Sequence, residues 1–181
     1  MINKIPPWIY YIENLQKKET NYNSSRWIQF ATVGLDNKPR VRTVVFRGWD
    51  NSYEMNIYTD KRSQKYTEIQ SNNKVEICWL FPKSKCQFRL SGYSSIDSSD
   101  DTLFHWDQLN NQAKSMWGWP SPGNKSMGND NKLFSHINAI DNFVLIKINI
   151  LHVDQLILKE PIHLRRRWIR KKDWNEEYLN P

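Results

Sequence analysis

The chain is cut into short β-type runs by polar turns too brief to hold a crossover connection. The runs are Trp27–Gly34, Val41–Trp49, Tyr53–Tyr58, Val75–Phe81 and Gln87–Ile96, with a longer one at Phe143–Val153 and a last one at His163–Lys171. Turns at Asp36-Asn37-Lys38-Pro39, Asp50-Asn51-Ser52 and Pro82-Lys83-Ser84 separate several of them. Parallel neighbours need a dozen or more connecting residues, so a βαβ sheet is disfavoured and hairpin pairing is expected. Within the runs Gln87, Arg89 and Ser91 alternate with Phe88, Leu90 and Gly92, the two-residue period of a strand with one buried face. Few helices are expected. Trp8–Lys18 has helical spacing behind Pro6-Pro7, Lys61–Ser71 reads as a helix that Thr59 or Asp60 can cap, and Asp97–Asp101 opens one reaching about Asn110. Trp117 to about Asp130 is a Pro- and Gly-rich aromatic loop, with a short helix near Lys132–Ala139. The expected fold is mainly β (α+β): one antiparallel barrel with peripheral helices, spanning residues 1–181 as a single domain.

Apolar residues make up 39% of the 181, enough for a closed core, and nine Trp point to rings in cores or flat-ligand sites. No window offers the ~18 uninterrupted apolar residues of a membrane span, and the start lacks a secretion signal, so a soluble, cytoplasmic protein is expected. The net charge of +7 favours anionic partners. Cys78 and Cys86 flank a hairpin turn that sets Cys78 opposite a residue near Arg89, so both are expected to stay reduced.

The chemistry-bearing segments are basic. Arg40-Val-Arg-Thr-Val-Val-Phe-Arg47 carries cations at both ends of a β run, and strict alternation sends Arg42 and Arg47 to opposite faces. Such arginines are ordinarily solvated strand ends. Tyr58-Thr-Asp-Lys-Arg-Ser-Gln-Lys65 ends a strand and opens a helix, where free N–H groups suit a phosphate; Ser63 adds a hydroxyl, and Lys61, Arg62 and Lys65 add charge. Arg165-Arg166-Arg167 either reaches an anionic ligand or merely keeps an edge strand soluble. His105, His136, His152 and His163 lie far apart, and no nucleophile elbow, Walker loop or dinucleotide fingerprint is present. An enzyme of this composition would take its reactive atoms from a cofactor.

Together the segments resemble the pyridoxamine 5′-phosphate oxidase family of FMN-binding split barrels. The resemblance runs from Trp27 to Gly92 and over Phe143–Trp168. It rests on the order Arg42-Thr-Val-Val-Phe-Arg47, Asn56-Ile-Tyr-Thr59, Ser63-Gln-Lys65, Leu80-Phe-Pro82 and Gln87 before Ser91-Gly92. The loop Trp119-Pro-Ser-Pro-Gly123 and the Arg-rich last strand place it nearest the oxidase-like branch of cyanobacteria and plants. The resemblance implies a homodimer with FMN between the subunits. Arg42, Arg62, Ser63 and Lys65 would hold the FMN phosphate, and Tyr58 and Thr59 would lie along the cofactor. The backbone of Thr43, Val44 and Val45 would face the ring system, with Gln87 and Arg167 also reaching the flavin. Arg47, His163, Arg165, Trp117 and Trp119 are the expected substrate contacts. No residue is expected to be catalytic in itself, and no metal is expected. The chain departs from the family pattern at Gln64, where an Arg is usual, and at Leu156, where a Trp is usual. It departs again at His163-Leu164-Arg165, in place of Arg-Leu-His, and at His105 and Leu109, where the substrate-phosphate residues would fall.

The implied activity is FMN-dependent oxidation of a small anionic substrate, with pyridoxamine or pyridoxine 5′-phosphate the leading candidate. The alternatives are a non-catalytic flavin- or haem-binding barrel and, further off, a basic nucleic-acid-binding barrel.

Overall fold

Strands joined by tight turns pair with their sequence neighbours, and the ladder then closes on itself. The computed structural model describes residues 5–19, 23–126 and 139–181. Its strands are β1 (Trp27–Val33), β2 (Pro39–Trp49), β3 (Met55–Asp60), β4 (Lys74–Phe81), β5 (Cys86–Ile96), β6 (Phe143–Ile157), β7 (Leu164–Ile169) and β8 (Glu176–Leu179). All pair antiparallel in the order β3-β2-β1-β4-β5-β6-β7-β8, and a further β3–β6 pairing closes a six-stranded barrel. The helices are α1 (Pro7–Lys18), α2 (Gln64–Ser71), α3 (Asp100–Asp107) and α4 (Asn111–Ser115). The expected mainly β split barrel is the fold observed.

The longest strand makes the split. One edge of β6 follows β5 from Ile146 to Ile157, while the other pairs first with β3 (Phe143–Ile148) and then with β7 (His152–Ile157). At the changeover the β5–β6 register shifts: Ser91 faces His152 and Gly92 faces Ile150, leaving Leu151 as an extra residue. The backbones approach so closely there that a Cβ on Gly92 would lie 2.0 Å from the Asn149 carbonyl oxygen. A second irregularity, between Phe46 and Trp49 of β2, holds Gly48 at φ 119°.

The barrel is filled by inward residues of its strands, including Phe30, Ile57, Ile77, Trp79, Phe88, Leu90, Ile146 and Ile148. Helix α1 adds Trp8, Ile9 and Ile12 to the same core, each side chain contributing about 1.5–3 kcal/mol by leaving water. Arg166 joins four elements: it donates to Gln155 of β6 (2.6 Å) and Glu176 of β8 (2.7 Å), and lies 4.0 Å over the Tyr11 ring of α1.

Cys78 pairs with Arg89, as the hairpin reading requires, Cys86 faces Phe81, and both thiols are free. Several boundaries differ from expectation, and the helix expected to reach about Asn110 ends at Asp107, with α4 following it. Helix α2 starts at Gln64 rather than Lys61, because the Asp60 carboxylate accepts the Arg62 backbone N–H (2.7 Å) and holds a turn there. Strand β6 runs four residues beyond Val153, and β7 stops at Ile169, where Arg170–Lys172 turns the chain into the unanticipated β8. The helix expected near Lys132–Ala139 lies outside the described residues except for Ala139, which opens a 3-10 turn ending at Asn142.

Replacing Gly92 by Ala should force β5 and β6 apart at the split. We expect a loss of about 3 kcal/mol, read as a lowered urea midpoint with an unchanged slope.

Candidate functional site

Where β3 ends and α2 begins, three polar side chains meet. The Thr59 and Ser63 hydroxyls lie 3.1 Å apart, and both residues are buried. The Lys65 ammonium donates to the Thr59 hydroxyl at 3.0 Å and forms no ion pair among the described residues. Burial, and after it the neighbouring Arg42, hold Lys65 below the ordinary lysine range, while the charges of Asp60 and Glu68 act the other way. Ser63 is the N-cap residue of α2, yet its hydroxyl donates to the Asp60 carbonyl (2.6 Å) and does not cap the helix. The first-turn N–H groups of α2 therefore have no side-chain acceptor, and the positive end of the helix adjoins an unpaired ammonium.

The other expected phosphate cations already have carboxylate partners. Arg42 pairs with the buried Glu68 (2.8 Å), which also accepts from the Thr32 hydroxyl (2.6 Å). Arg62 is clamped on Asp60 (2.7 Å) and donates to the Trp117 carbonyl (3.1 Å). The ladder between β2 and β3 ends at Phe46 opposite Ile57. Beyond it the edge of Thr43–Val45 that faces away from β1 has no strand partner among the described residues.

On the outer side of the same strands the Arg47 guanidinium lies 4.8 Å over the Tyr58 ring. Arg42 and Arg47 thus take opposite faces of β2. The Arg47 Nε is buried with no hydrogen-bond partner among the described residues, and burial lowers the Arg47 pKa. The Tyr58 hydroxyl meets His105 Nδ1 of α3 at 2.9 Å. Burial raises the Tyr58 pKa, against the pull of Arg47, and lowers that of His105. His105, one of the two positions where the resemblance sets the substrate-phosphate residues, is brought onto Tyr58 by the fold of α3. Trp117, expected against substrate, is instead buried: its indole donates to the Thr59 carbonyl (3.0 Å) and its ring packs on Trp106 and Phe143. Trp119 is exposed.

The remaining expected residues form a separate group. Gln87, Leu156 and Arg165 lie in one row across β5, β6 and β7, and Arg89, Asp154 and Arg167 in the row two residues on. Arg165 is paired with Asp154 (3.0 Å) and Arg167 with Glu177 (2.6 Å); His163 is exposed and contacts the Lys159 carbonyl (3.1 Å). Thr59 pairs with Val144 and Gln87 with Leu156, so the two groups are separated along β6 by roughly 40 Å of extended chain. Within one chain they do not meet.

The donor set fits a phosphate monoester: one ammonium without a carboxylate, two hydroxyls and an open helix N-terminus. Comparison with known proteins agrees with that chemistry. The family described as "Pyridoxamine 5'-phosphate oxidase, FMN-binding domain" matches residues 5–97, about half of the chain. Pyridoxine/pyridoxamine 5′-phosphate oxidase 2 of Arabidopsis thaliana is 29% identical over 194 residues, covering 98% of each protein. The structure of a pyridoxamine 5′-phosphate oxidase-related, FMN-binding protein from Nostoc punctiforme PCC 73102 superposes with a TM-score of 0.87 at 30% identity, covering 98% of this chain and 100% of that one. PhzG from Burkholderia lata 383 shares the fold at a TM-score of 0.80 and 15% identity, over 99% of this chain and 94% of its own. By these matches, on the site just described, the chain belongs to the pyridoxamine 5′-phosphate oxidase-related family of FMN-binding domains.

Proposed function

We propose that the protein is an FMN-dependent oxidoreductase acting on a small anionic substrate, working as one folding unit in the cytoplasm, where its two thiols would stay reduced. The observation that carries this reading is Lys65: a half-buried ammonium without a counter-ion, resting on Thr59 beside the open end of α2. A desolvated cation is costly until an anion completes it, and a terminal phosphate is the group that helix ends accept. Ser63, Thr59 and Lys65 would grip that phosphate. Arg42 would add its remaining donors while held by Glu68, and the unpaired edge of Thr43–Val45 would offer backbone hydrogen bonds to a flat ring. When bound, FMN supplies the ring that accepts a hydride equivalent. The chain itself would bind, orient and exclude water. Arg47, whose buried Nε has no hydrogen-bond partner among the described residues, is the cation best placed to hold a substrate anion, and pyridoxamine or pyridoxine 5′-phosphate is the first candidate.

One mononucleotide is too short to touch both Lys65 and Gln87 of the same chain across that separation. We therefore propose a homodimer in which Gln87, Arg165 and Arg167 act on the cofactor held by the partner's phosphate site.

A second reading keeps FMN and drops turnover. Arg165, expected against substrate, is bound to Asp154, and Leu156 stands beside it. On that reading the purified protein is yellow but does not bleach when pyridoxamine 5′-phosphate is added without oxygen; a Soret band in place of the flavin spectrum would indicate haem.

Three outcomes test the proposal. Lys65→Ala should weaken FMN binding by roughly 10- to 100-fold, the value of a charged hydrogen bond, as measured by quenching of flavin fluorescence on titration; unchanged affinity would misplace the phosphate. Because burial lowers the Lys65 pKa, the ammonium loses its proton below the ordinary lysine range. FMN affinity should therefore be full at neutral pH and fall as pH rises through that lowered pKa, whereas Lys65→Arg should hold its affinity to higher pH. Finally, Lys65→Ala and Gln87→Ala chains that are each defective alone should recover flavin binding when refolded together. Random pairing leaves about a quarter of the sites with both residues intact.

A further inference from the structure

Helix α3 lies against β3 and β6 on the outside of the barrel, and none of its eight residues is buried. Leu103 and Phe104 are exposed. The contacts that hold the helix include Trp106, which packs on Phe143 (5.3 Å) and Trp117 (5.8 Å), and the bond between His105 and the Tyr58 hydroxyl. At its start Asp101 accepts from the Lys147 ammonium at 2.6 Å. Lys147 also reaches Asp97 at 3.2 Å, whose carboxylate accepts from Ser99 (2.9 Å) and Thr102 (2.8 Å). One lysine of β6 thus ties down the first turn of α3, directly and through the residues that lead into it. The Asp101 hydrogen bond, against the effect of burial, holds Lys147 above the ordinary lysine range, so this tie is charged at neutral pH.

The face beneath is mixed. Phe143, Leu145 and Lys147 alternate along β6, and on β3 Tyr58 pairs with Leu145 and Asn56 with Lys147. Phe143 and Leu145 are buried apart from the barrel core, which favours a covered face. Asn56 and Arg47 oppose it. Asn56 is buried, yet its Oδ1 has no hydrogen-bond partner among the described residues; the same holds for the Nε of Arg47, whose guanidinium lies over the Tyr58 ring. Polar atoms denied both water and a partner weaken the covered state, and uncovering the face returns them to solvent. With apolar burial and stranded polar groups set against each other, the charged tie decides the balance.

We propose that α3 is a cover over Arg47 and Tyr58, latched by Lys147 through Asp97 and Asp101, and that it opens while the barrel stays folded. Segments with few buried contacts open at lower cost than the strands they lie on. Lys147 is then a positioning residue that acts through α3 and sets how often Arg47 is reached. The consequence for a substrate anion rests on the function proposed above; the cover itself is a property of this chain and stands without that function.

Amide hydrogen exchange of the full-length protein, read by mass spectrometry beside phenylglyoxal labelling of Arg47, tests this with neither flavin nor substrate added. Amides of residues 103–107 should exchange at least tenfold faster than those of β3. Asp101→Asn, at an exposed position, should speed both α3 exchange and Arg47 labelling at least threefold with β3 exchange unchanged. Lys147→Met should speed both further, whereas Lys147→Arg, which keeps the ion pairs, should hold both within about twofold of the wild type. The proposal is overturned if α3 exchanges no faster than β3, or if Asp101→Asn leaves both rates unchanged. It is overturned equally if the helix opens faster without faster Arg47 labelling, or if Lys147→Arg opens it as far as Lys147→Met.

Discussion

The architecture depends on the close contact of β5 and β6 at Gly92. One continuous strand serves two ladders on one edge because its backbone is pulled sideways by a residue's width at Leu151. That displacement needs the Asn149 carbonyl pressed against a position with no side chain. Upstream of the shift β6 closes the barrel through β3; downstream it carries β7 and β8 away from it. The two groups of basic residues owe their separation to this strand.

Electrostatics then sorts cations that look alike in sequence. Arg42, Arg62, Arg165 and Arg167 each meet a carboxylate of the chain itself, while Lys65 and Arg47 form no ion pair among the described residues. Buried charges without partners are the expensive ones, and they are where a ligand makes the largest difference. Glu68 is central to that sorting: on the buried face of α2, it fixes Arg42 and Thr32 and leaves Lys65 without an ion pair among the described residues.

The barrel was legible because strand alternation and turn residues act locally. Phe88 and Leu90 inside, with Arg89 out, follow from period two alone, and the pairing of Cys78 with Arg89 follows from the length of one hairpin. The meeting of Thr59, Ser63 and Lys65 was legible for the same reason, since a strand end, a hydroxyl and a helix start are contiguous. The salt bridges were not. Glu68 lies 26 residues from Arg42, and nothing in either segment marks the other as its partner. His105 reaches Tyr58 across 47 residues, and Trp117 reaches Thr59 across 58. The loop residue Trp117 is buried because Trp106 of α3 and Phe143 at the start of β6 supply the aromatic faces it packs on.

That last contact links two parts of the molecule. The Trp117 indole holds the Thr59 carbonyl and the Trp117 carbonyl holds Arg62, so the loop is fastened on both sides of the turn that leads into α2. With the proposed anion at the α2 mouth, its occupancy and these Trp117 contacts would be reciprocal quantities: whatever factor the contacts add to anion affinity, the anion must return to their stability.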